Sequence, residues 1–481
     1  MCSALGAAYD GNAILKACRN SSLRKGWGTE NQPPAVLYKP ERRSACRGWG
    51  ALFSKLRWCR LSGVVSYASV RVSAEAVQLP YLTASLPGIG GVIKQYDEDF
   101  GVDEIPLYLA SGEGTHTYFV IEKRGFTTLE AVKLIARRLG RNPRDIGYAG
   151  LKDAHGVTRQ MLSLEHVDPA AIASLDLGRI RVLSVNRHRN KIKLGHLAGN
   201  RFVIKIRETV ESPVQSAQAI LDVLAKRGLP NYFGPQRFGA RGDNALIGRA
   251  VLLDDFDEAI GLILGRPGPA DHGQVLRARE LFESGDLQAS AEAWGYAFSE
   301  QAHICRALLK SSGDTRKAWR AVHHTLRRLY VSAFQSELFN RVLARRIDRI
   351  DRLETGDIAW KHRNGACFLV EDAEVEQPRC TAFEISPTGP LFGRRMTEAQ
   401  GTPGQVEAAI LAESGVTQDR LGGRGDAKLD GARRPLRVPL ADLALDAGPD
   451  AQGRYVRLTF ALPPGAYATG VIREVCKSND R

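Results

Sequence analysis

Gly147-Tyr-Ala-Gly-Leu-Lys-Asp-Ala-His-Gly-Val-Thr-Arg-Gln160 is the stretch on which the reading of this 481-residue chain turns. It sets one acid, Asp153, beside Lys152 and close to His155 and Arg159. A carboxylate in such cationic company is held in its ionised form, which suits a nucleophile or base better than a proton donor. Gly147, Gly150 and Gly156 permit tight turns and close backbone approach. Read as local structure only, the same residues describe a capped turn with a solvated lysine, because aspartate is common in turns. Asp145 to Ala149 reads as a short strand feeding the turn, a placement that keeps an acid rigid yet exposed.

Working outward, Thr127-Thr-Leu-Glu130 has the capping-box spacing, and Leu129, Val132, Ile135, Ala136 and Leu139 recur on one helical face. Gly140 and Pro143 end that helix. Downstream, Lys191–Leu194 and Arg201–Arg207 alternate with period two around the turn 195–199, which predicts two strands. In the second, Phe202, Ile204 and Ile206 share one face while Arg201, Lys205 and Arg207 share the other. From Arg187 to Arg207 there are seven lysines or arginines and no acid. Phosphate neutralisation dominates nucleic-acid affinity, so Arg187, Arg189, Lys191, Lys193 and Arg201 are candidate RNA contacts. A half-buried sheet with a solvated basic face explains the same alternation without a ligand.

Ser212-Pro213 opens a helix through Leu221 and Leu224 that stops at Gly228. From about Gly228 to Pro435 the chain reads as an insertion. Its clearest element is one long helix over 315–353, free of Gly and Pro, with Val322, Leu326, Leu329, Ala333, Leu338, Val342 and Ile347 as an apolar stripe. Residues 401–435, rich in Gly, Arg and Asp, read as a mobile loop. Tyr455–Phe460 reads as a strand, followed by a turn at 462–465 and a short helix carrying Arg473 and Glu474.

Composition narrows the class. Hydrophobic residues at 43% and charged ones at 25% are ordinary for a soluble globular chain long enough for two or three domains. No run approaches the roughly eighteen apolar residues of a spanning helix, which argues against a membrane protein. The net charge of +14 points to a polyanionic partner. Residues 1 to 90 carry twelve basic and four acidic side chains, so the placement of the remaining charge matters more than its sum. The eight cysteines form no Cys-x-x-Cys pair and match neither a zinc site nor a disulfide framework. Free thiols in a reducing cytoplasm are the simplest account. No phosphate-cradling or dinucleotide-binding glycine motif occurs, so no cofactor and no metal is expected.

Residues 1 to about 80 are basic and lack periodicity. They read as an RNA-binding arm, a targeting presequence or, the favoured account, a mis-assigned translation start. Methionine occurs only at 1, 161 and 396, so a start near 64–77 would use a valine codon.

Gly150-Leu-Lys152-Asp153 followed by Val157-Thr158-Arg159-Gln160 resembles a motif of the TruD family of tRNA pseudouridine synthases. Four more stretches fit that family in order: Ile93–Phe100, Gly199-Asn200-Arg201-Phe202, Asn231-Tyr-Phe-Gly-Pro-Gln-Arg-Phe-Gly239, and Gly465–Glu474. The resemblance spans roughly residues 88–476. It implies an α+β protein: a pseudouridine-synthase-like catalytic domain on a mixed, largely antiparallel sheet, with a large inserted α/β (TRUD) domain. The boundaries expected are 1–80 for the extension, 81–228 and 437–481 for the two parts of the catalytic domain, and 229–436 for the insertion.

The resemblance also implies the chemistry. Uridine becomes pseudouridine when the glycosidic bond breaks, the uracil turns, and carbon 5 joins the ribose. The product is an isomer, so neither redox cofactor nor metal is required. Asp153 would attack carbon 1′ or take the 2′ proton, in the manner of a glycosidase carboxylate nucleophile. Lys94, Lys152 and Arg473 would pair with or support that acid. The target base must leave its stack, so an aromatic platform is expected. By resemblance Phe202 is that platform and Asn200 shapes the pocket, although periodicity gives Phe202 an equal place in the core. Phe233, Gln236, Arg237 and Phe238 fall at the domain junction, where they touch RNA or pack the hinge. The partner implied is a transfer RNA, at the uridine in position thirteen of the D arm, bound by a cytoplasmic monomer. Two other classes compete: a non-catalytic RNA-binding protein, and a carboxylate RNA glycosidase using Glu98 or Glu165 as a second acid.

Overall fold

The computed structural model describes residues 79–422 and 429–477. The basic segment 1–80 lies, except for its last two residues, outside the described residues. The first half of the chain supplies β1 (Gly90–Ile93), β2 (Phe100–Pro106), β3 (His116–Arg124), β4 (Gly147–Tyr148), β5 (Val157–Glu165), β6 (Ile180–His188) and β7 (Leu197–Thr209). The middle adds β8 (Leu229–Pro230), β9 (Ile358–Lys361), β10 (Cys367–Leu369), β11 (Ile385–Leu391) and β12 (Ala432–Pro435). The last part adds β13 (Arg437–Val438), β14 (Ala441–Asp450) and β15 (Gly453–Leu462).

The large sheet runs β14-β15-β7-β2-β5-β3-β6, with β1 attached to β7 and β4 to β5. Its pairings are antiparallel except β2 with β5, where Gly101 lies opposite Val157 and Asp103 opposite Arg159. The class is therefore α+β on a mixed, largely antiparallel sheet. Strand β7 alternates as its side chains require, with Phe202, Ile204 and Ile206 turned to the buried face. Helices Pro213–Arg227 and Ala468–Cys476 cover them there. The helix Thr128–Arg138 covers Phe119 and Ile121 on the same face, and its capping box forms between Thr127 and Glu130.

Buried apolar residues sort by position in the chain. One cluster draws on 89–229 and 438–476, joining Phe100, Phe202, Ile204, Leu221, Phe460 and Val471. Another has all its buried members between Phe233 and Leu436, including Trp294, Phe334 and Phe339. The C-terminal helix also fastens the first described residues. Buried Glu474 accepts hydrogen bonds from the Leu82 and Thr83 amides at 3.0 and 3.1 Å and from the Thr83 hydroxyl at 2.7 Å. Arg473 donates to the Leu79 and Pro80 carbonyls, and Lys477 to those of Thr83 and Leu86.

Three local expectations need correction. The segment 191–194 is not a strand: the Ile192 amide donates to the Ser163 hydroxyl and Lys191 Nζ to the Arg144 carbonyl, so no ladder forms. The long helix is two, Thr315–Ala321 and His324–Arg345. Val322 and His323 are extended between them, and the His323 ring caps the second by accepting from the Thr325 amide. Residues 401–435 contain helices Gly401–Glu413 and Gln418–Leu421 and strand β12. What fixes this region is a buried ion pair, Glu407 with Arg433 at 2.7 Å. Burial raises the Glu407 carboxyl pKa, and the Arg433 hydrogen bonds oppose that shift. Glu407→Ala leaves Arg433 buried without its counterion and should cost about 3–5 kcal/mol, read as a lower denaturation midpoint in urea.

Candidate active site

Because β2 and β5 run parallel and start side by side, the segments that lead into them meet at one end of the sheet. Ile93–Phe100 leads into β2 and Leu151–Gly156 into β5. Gly156 adopts φ +134°, and a β-carbon there would lie 2.4 Å from the Phe100 carbonyl oxygen, so only glycine lets the loop approach β2 this closely. Gly147 is constrained in the same way, its absent β-carbon falling 2.4 Å from the Ile192 carbonyl.

Lys94 crosses to the acid. Its ammonium lies 3.4 Å from Asp153 Oδ2 and 4.1 Å from the centre of the Phe100 ring. Its backbone is left-handed at φ +60°, a conformation that costs a non-glycine residue about 1–2 kcal/mol. Asp153 keeps 60% of its side-chain surface exposed, so a substrate can reach it.

The loop that carries Asp153 is fastened from below. Lys152 turns away from its neighbour and makes a buried ion pair with Glu104 at 2.7 Å, while Glu104 also accepts the Met161 amide at 3.2 Å. The Lys152 amide donates to the Thr128 hydroxyl at 2.8 Å, and that hydroxyl donates to Gln160 Oε1 at 2.8 Å. Lys123, also buried, donates to the main-chain carbonyls of Phe126 and Asp153 at 2.6 and 2.8 Å.

Phe202 lies on the same sheet face as this loop. It is 8% exposed, packs edge-on to Phe100 with centroids 6.4 Å apart, and stacks on Phe460 at 5.4 Å. It is a core residue whose inner neighbour is the ring under Lys94. Asn200, two residues earlier on the same face and opposite Glu104 in register, has a buried amide oxygen with no partner among the described residues.

The other named residues lie elsewhere. Arg473 pairs with Glu474 at 3.8 Å and sits 3.9 Å from the Tyr81 ring centre, at the C-terminal helix. Arg201 is on the opposite sheet face, ion-paired to Asp442. That face is largely neutralised: Arg207 pairs with Asp99 and Asp450, Lys205 with Asp450, and Arg159 with Asp103 and Glu122. Hydrogen bonds from Arg181 and Arg159 hold Glu122 below the usual carboxylate range. Arg237 donates to the Ser336 hydroxyl at 2.8 Å, and burial lowers its guanidinium pKa. Arg434 lies over Phe233 at 4.2 Å and donates to the Gly465 carbonyl, tying the middle of the chain to its last motif. Burial lowers Arg434 to about 10. Between Arg187 and Arg189, the His188 ring stacks on Tyr108 at 5.2 Å and lies tilted against Tyr118 at 4.5 Å, while Lys191 donates to the Arg144 carbonyl. Arg189 pairs with exposed Glu113, while Lys193 is exposed and, among the described residues, unpaired. Just beyond Lys193, the Gly195 amide donates to the Ala149 carbonyl at 2.8 Å, which joins this segment to the start of the 147–160 stretch.

Sequence reading missed Glu104, Lys123, Thr128 and Gln160. Lys123 had a signal: it shares strand parity with Phe119 and Ile121 and so was bound for the buried face. Glu98 pairs with Arg124 at 2.7 Å, and Glu165 stands at the far end of β5 from Asp153.

A solvent-accessible carboxylate beside one ammonium, on a rigid loop over an aromatic-lined sheet end, can add to an electrophilic carbon or take a proton from one. The family model for tRNA pseudouridine synthase D (TruD) matches residues 76–475. The chain is 50% identical over 397 residues to a tRNA pseudouridine synthase D of Geobacter sulfurreducens, covering 82% of this chain and 96% of that protein. It is 48% identical over 399 residues to one from Geotalea daltonii, covering 83% and 100%. A crystal structure of the putative tRNA pseudouridine synthase D of Methanosarcina mazei superposes with a TM-score of 0.74 at 28% identity, covering 83% and 96%. This chain is an RNA-modifying isomerase, and it belongs to the TruD family of tRNA pseudouridine synthases.

Thr128→Val removes the acceptor of the Lys152 amide and the donor to Gln160. It should cost about 1–3 kcal/mol in urea unfolding and slow turnover more than it weakens RNA binding.

Proposed function

We propose that Asp153 is the reacting carboxylate of this synthase and that its target is the uridine at position thirteen of the transfer-RNA D arm. The observation that carries the first part is the contact between Lys94 and Asp153. It joins two motifs 59 residues apart, and it leaves the acid exposed while its loop is held by buried bonds.

Asp153 either attacks carbon 1′ or removes the 2′ proton, and both routes use it ionised. By the first route the carboxylate bonds to carbon 1′ as the bond to uracil N1 breaks. The uracil turns, its carbon 5 displaces the carboxylate from carbon 1′, the carbon 5 proton passes to water, and N1, which left with the electron pair, takes a proton from water in its place. Lys94 favours the charged acid without burying it. Phe100 with Phe202 behind it forms an apolar floor for the extruded base, and the unpartnered Asn200 amide meets its polar edge.

The D-arm position rests on family resemblance. Phosphate contact is assigned to the rim of Arg187, Arg189, Lys191 and Lys193, where the stacked rings of Tyr108 and His188 add an aromatic platform. Contact at Arg201 would have to displace Asp442, and Arg237 acts through the packing of the junction. The segregated cores support an insertion over 229–436 between two parts of one catalytic domain, and the reading is completed by a cytoplasmic monomer.

The test uses transfer-RNA transcript tritiated at uridine carbon 5. The wild-type protein should release tritium to water and Asp153→Asn should not, a loss of at least about 10³-fold. Changing uridine 13 to cytidine should abolish the release that depends on this protein. Activity in Asp153→Asn would remove the acid from its role, and free uracil in place of a retained isomer would mark a glycosidase. Lys94→Met should lower kcat at least about tenfold with RNA affinity little changed, checked by single-turnover rates beside filter binding.

A further inference from the structure

We propose that Lys123 is a positioning residue for Asp153: its buried ammonium gathers main-chain carbonyls of the catalytic loop and so fixes the direction in which the acid leaves it. The inference rests on Asp153 being the reacting carboxylate. Lys123 is 1% exposed on the buried face of β3. Its Nζ lies 2.6 Å from the Phe126 carbonyl, 2.8 Å from that of Asp153 and 3.5 Å from that of Lys152. An ammonium has three protons for these three acceptors. A neutral amine has two, and its lone pair would face a carbonyl oxygen.

The bonds join pieces that the sequence keeps apart. Phe126 immediately precedes the capping box of helix Thr128–Arg138, whose first hydroxyl holds the Lys152 amide. Lys123 thus ties the helix start and the catalytic loop to β3. Among the described residues no carboxylate is bonded to it; its acceptors are main-chain carbonyls, so its role there is not that of a stabilising ion pair. Asp153 is held at its carbonyl by Lys123 and at its carboxylate by Lys94.

The protonation state should therefore matter. Burial pushes Lys123 down to about 8; among its charged neighbours Asp153 and Glu130 favour the proton and Lys152 opposes it. The folded protein keeps the charge below about pH 8 and loses it above, whereas the unfolded chain keeps it to the ordinary lysine range. Between those values the unfolded state binds the extra proton, so this group's contribution to stability rises with pH. A fall in turnover above pH 8 would not be a loss of fold from this residue.

The experiment measures single-turnover tritium release from about pH 6.5 to about 9.5 for wild type, Lys123→Arg and Lys123→Met, with filter binding of the RNA and thermal melting at each pH. Wild-type turnover should decline above about pH 8 while melting temperature and RNA affinity hold. Lys123→Arg, charged throughout, should lack that decline. Lys123→Met should turn over at least about tenfold more slowly at every pH with affinity unchanged. A wild-type rate that stays flat to pH 9.5, or a folded Lys123→Met with the wild-type rate and profile, overturns the proposal. If Lys123→Met does not fold, the wild-type profile against Lys123→Arg decides: the same decline in both overturns it. Asp153→Asn separates the two readings. An inactive Asp153→Asn beside unaffected Lys123 variants removes only the positioning role, whereas an active Asp153→Asn removes the assigned acid itself.

Discussion

One parallel pairing governs the geometry of this protein. Among the pairings of the described strands only β2 with β5 is parallel, and the two strands start side by side, Gly101 opposite Val157. Whatever enters β2 must therefore meet whatever enters β5. Lys94 and Phe100 come from one lead-in and Asp153 from the other, and the glycine at 156 lets the two backbones touch. An antiparallel pairing would have sent these segments to opposite ends of the sheet, some seven residues or about 23 Å apart. The antiparallel β7 then sets Phe202 and Asn200 against β2 on the same face.

The ionic contacts divide by burial. The neighbour in sequence, Lys152, is spent on Glu104, whose side chain is 2% exposed, and that pair is part of the framework. The distant Lys94 serves Asp153 at the surface, where an ion pair contributes only about 0–1 kcal/mol. A contact so weak is easily exchanged for another partner. On the far side of the sheet the many arginines of β5, β6 and β7 are met by carboxylates, so the net positive charge of the chain is not spread over that surface. The cations nearest Asp153 are Lys94 at its carboxylate and Lys152 and Lys123 buried under its loop, whereas Arg187, opposite Thr117 and level with Leu164, stands toward the other end of β5.

Much of this was legible where the physics is local. The capping box at Thr127, the helix that stops at Gly228 and the strand parity of Phe202 follow from spacing alone, and each is found. Local signals failed where a side chain overruled composition. The absence of Gly and Pro over 315–353 suggested one helix, yet the His323 ring caps a second start. The glycine-rich composition of 401–435 concealed Gln405–Ala412, a run of good helix formers anchored by a partner, Arg433, far along the chain. Lys152 was read with Asp153 because they are adjacent. Its true partner is 48 residues away, and no single-sequence pattern reports such a contact. The polar bonds under the loop escaped for the same reason.

The arrangement of the sheet also imposes an order of assembly. Strand β7 stands in the middle of the sheet, but its neighbour β15 and the helix that grips Thr83 through Glu474 belong to the end of the chain. As the polypeptide leaves the ribosome, Phe202, Ile204 and Ile206 gain helix Pro213–Arg227 at once, but β15 and the C-terminal helix reach them only after residues 233–436 have been made. The middle of the large sheet is thus begun early and closed last: until the final helix emerges, β7 lacks one neighbouring strand and Thr83 lacks the carboxylate that holds it.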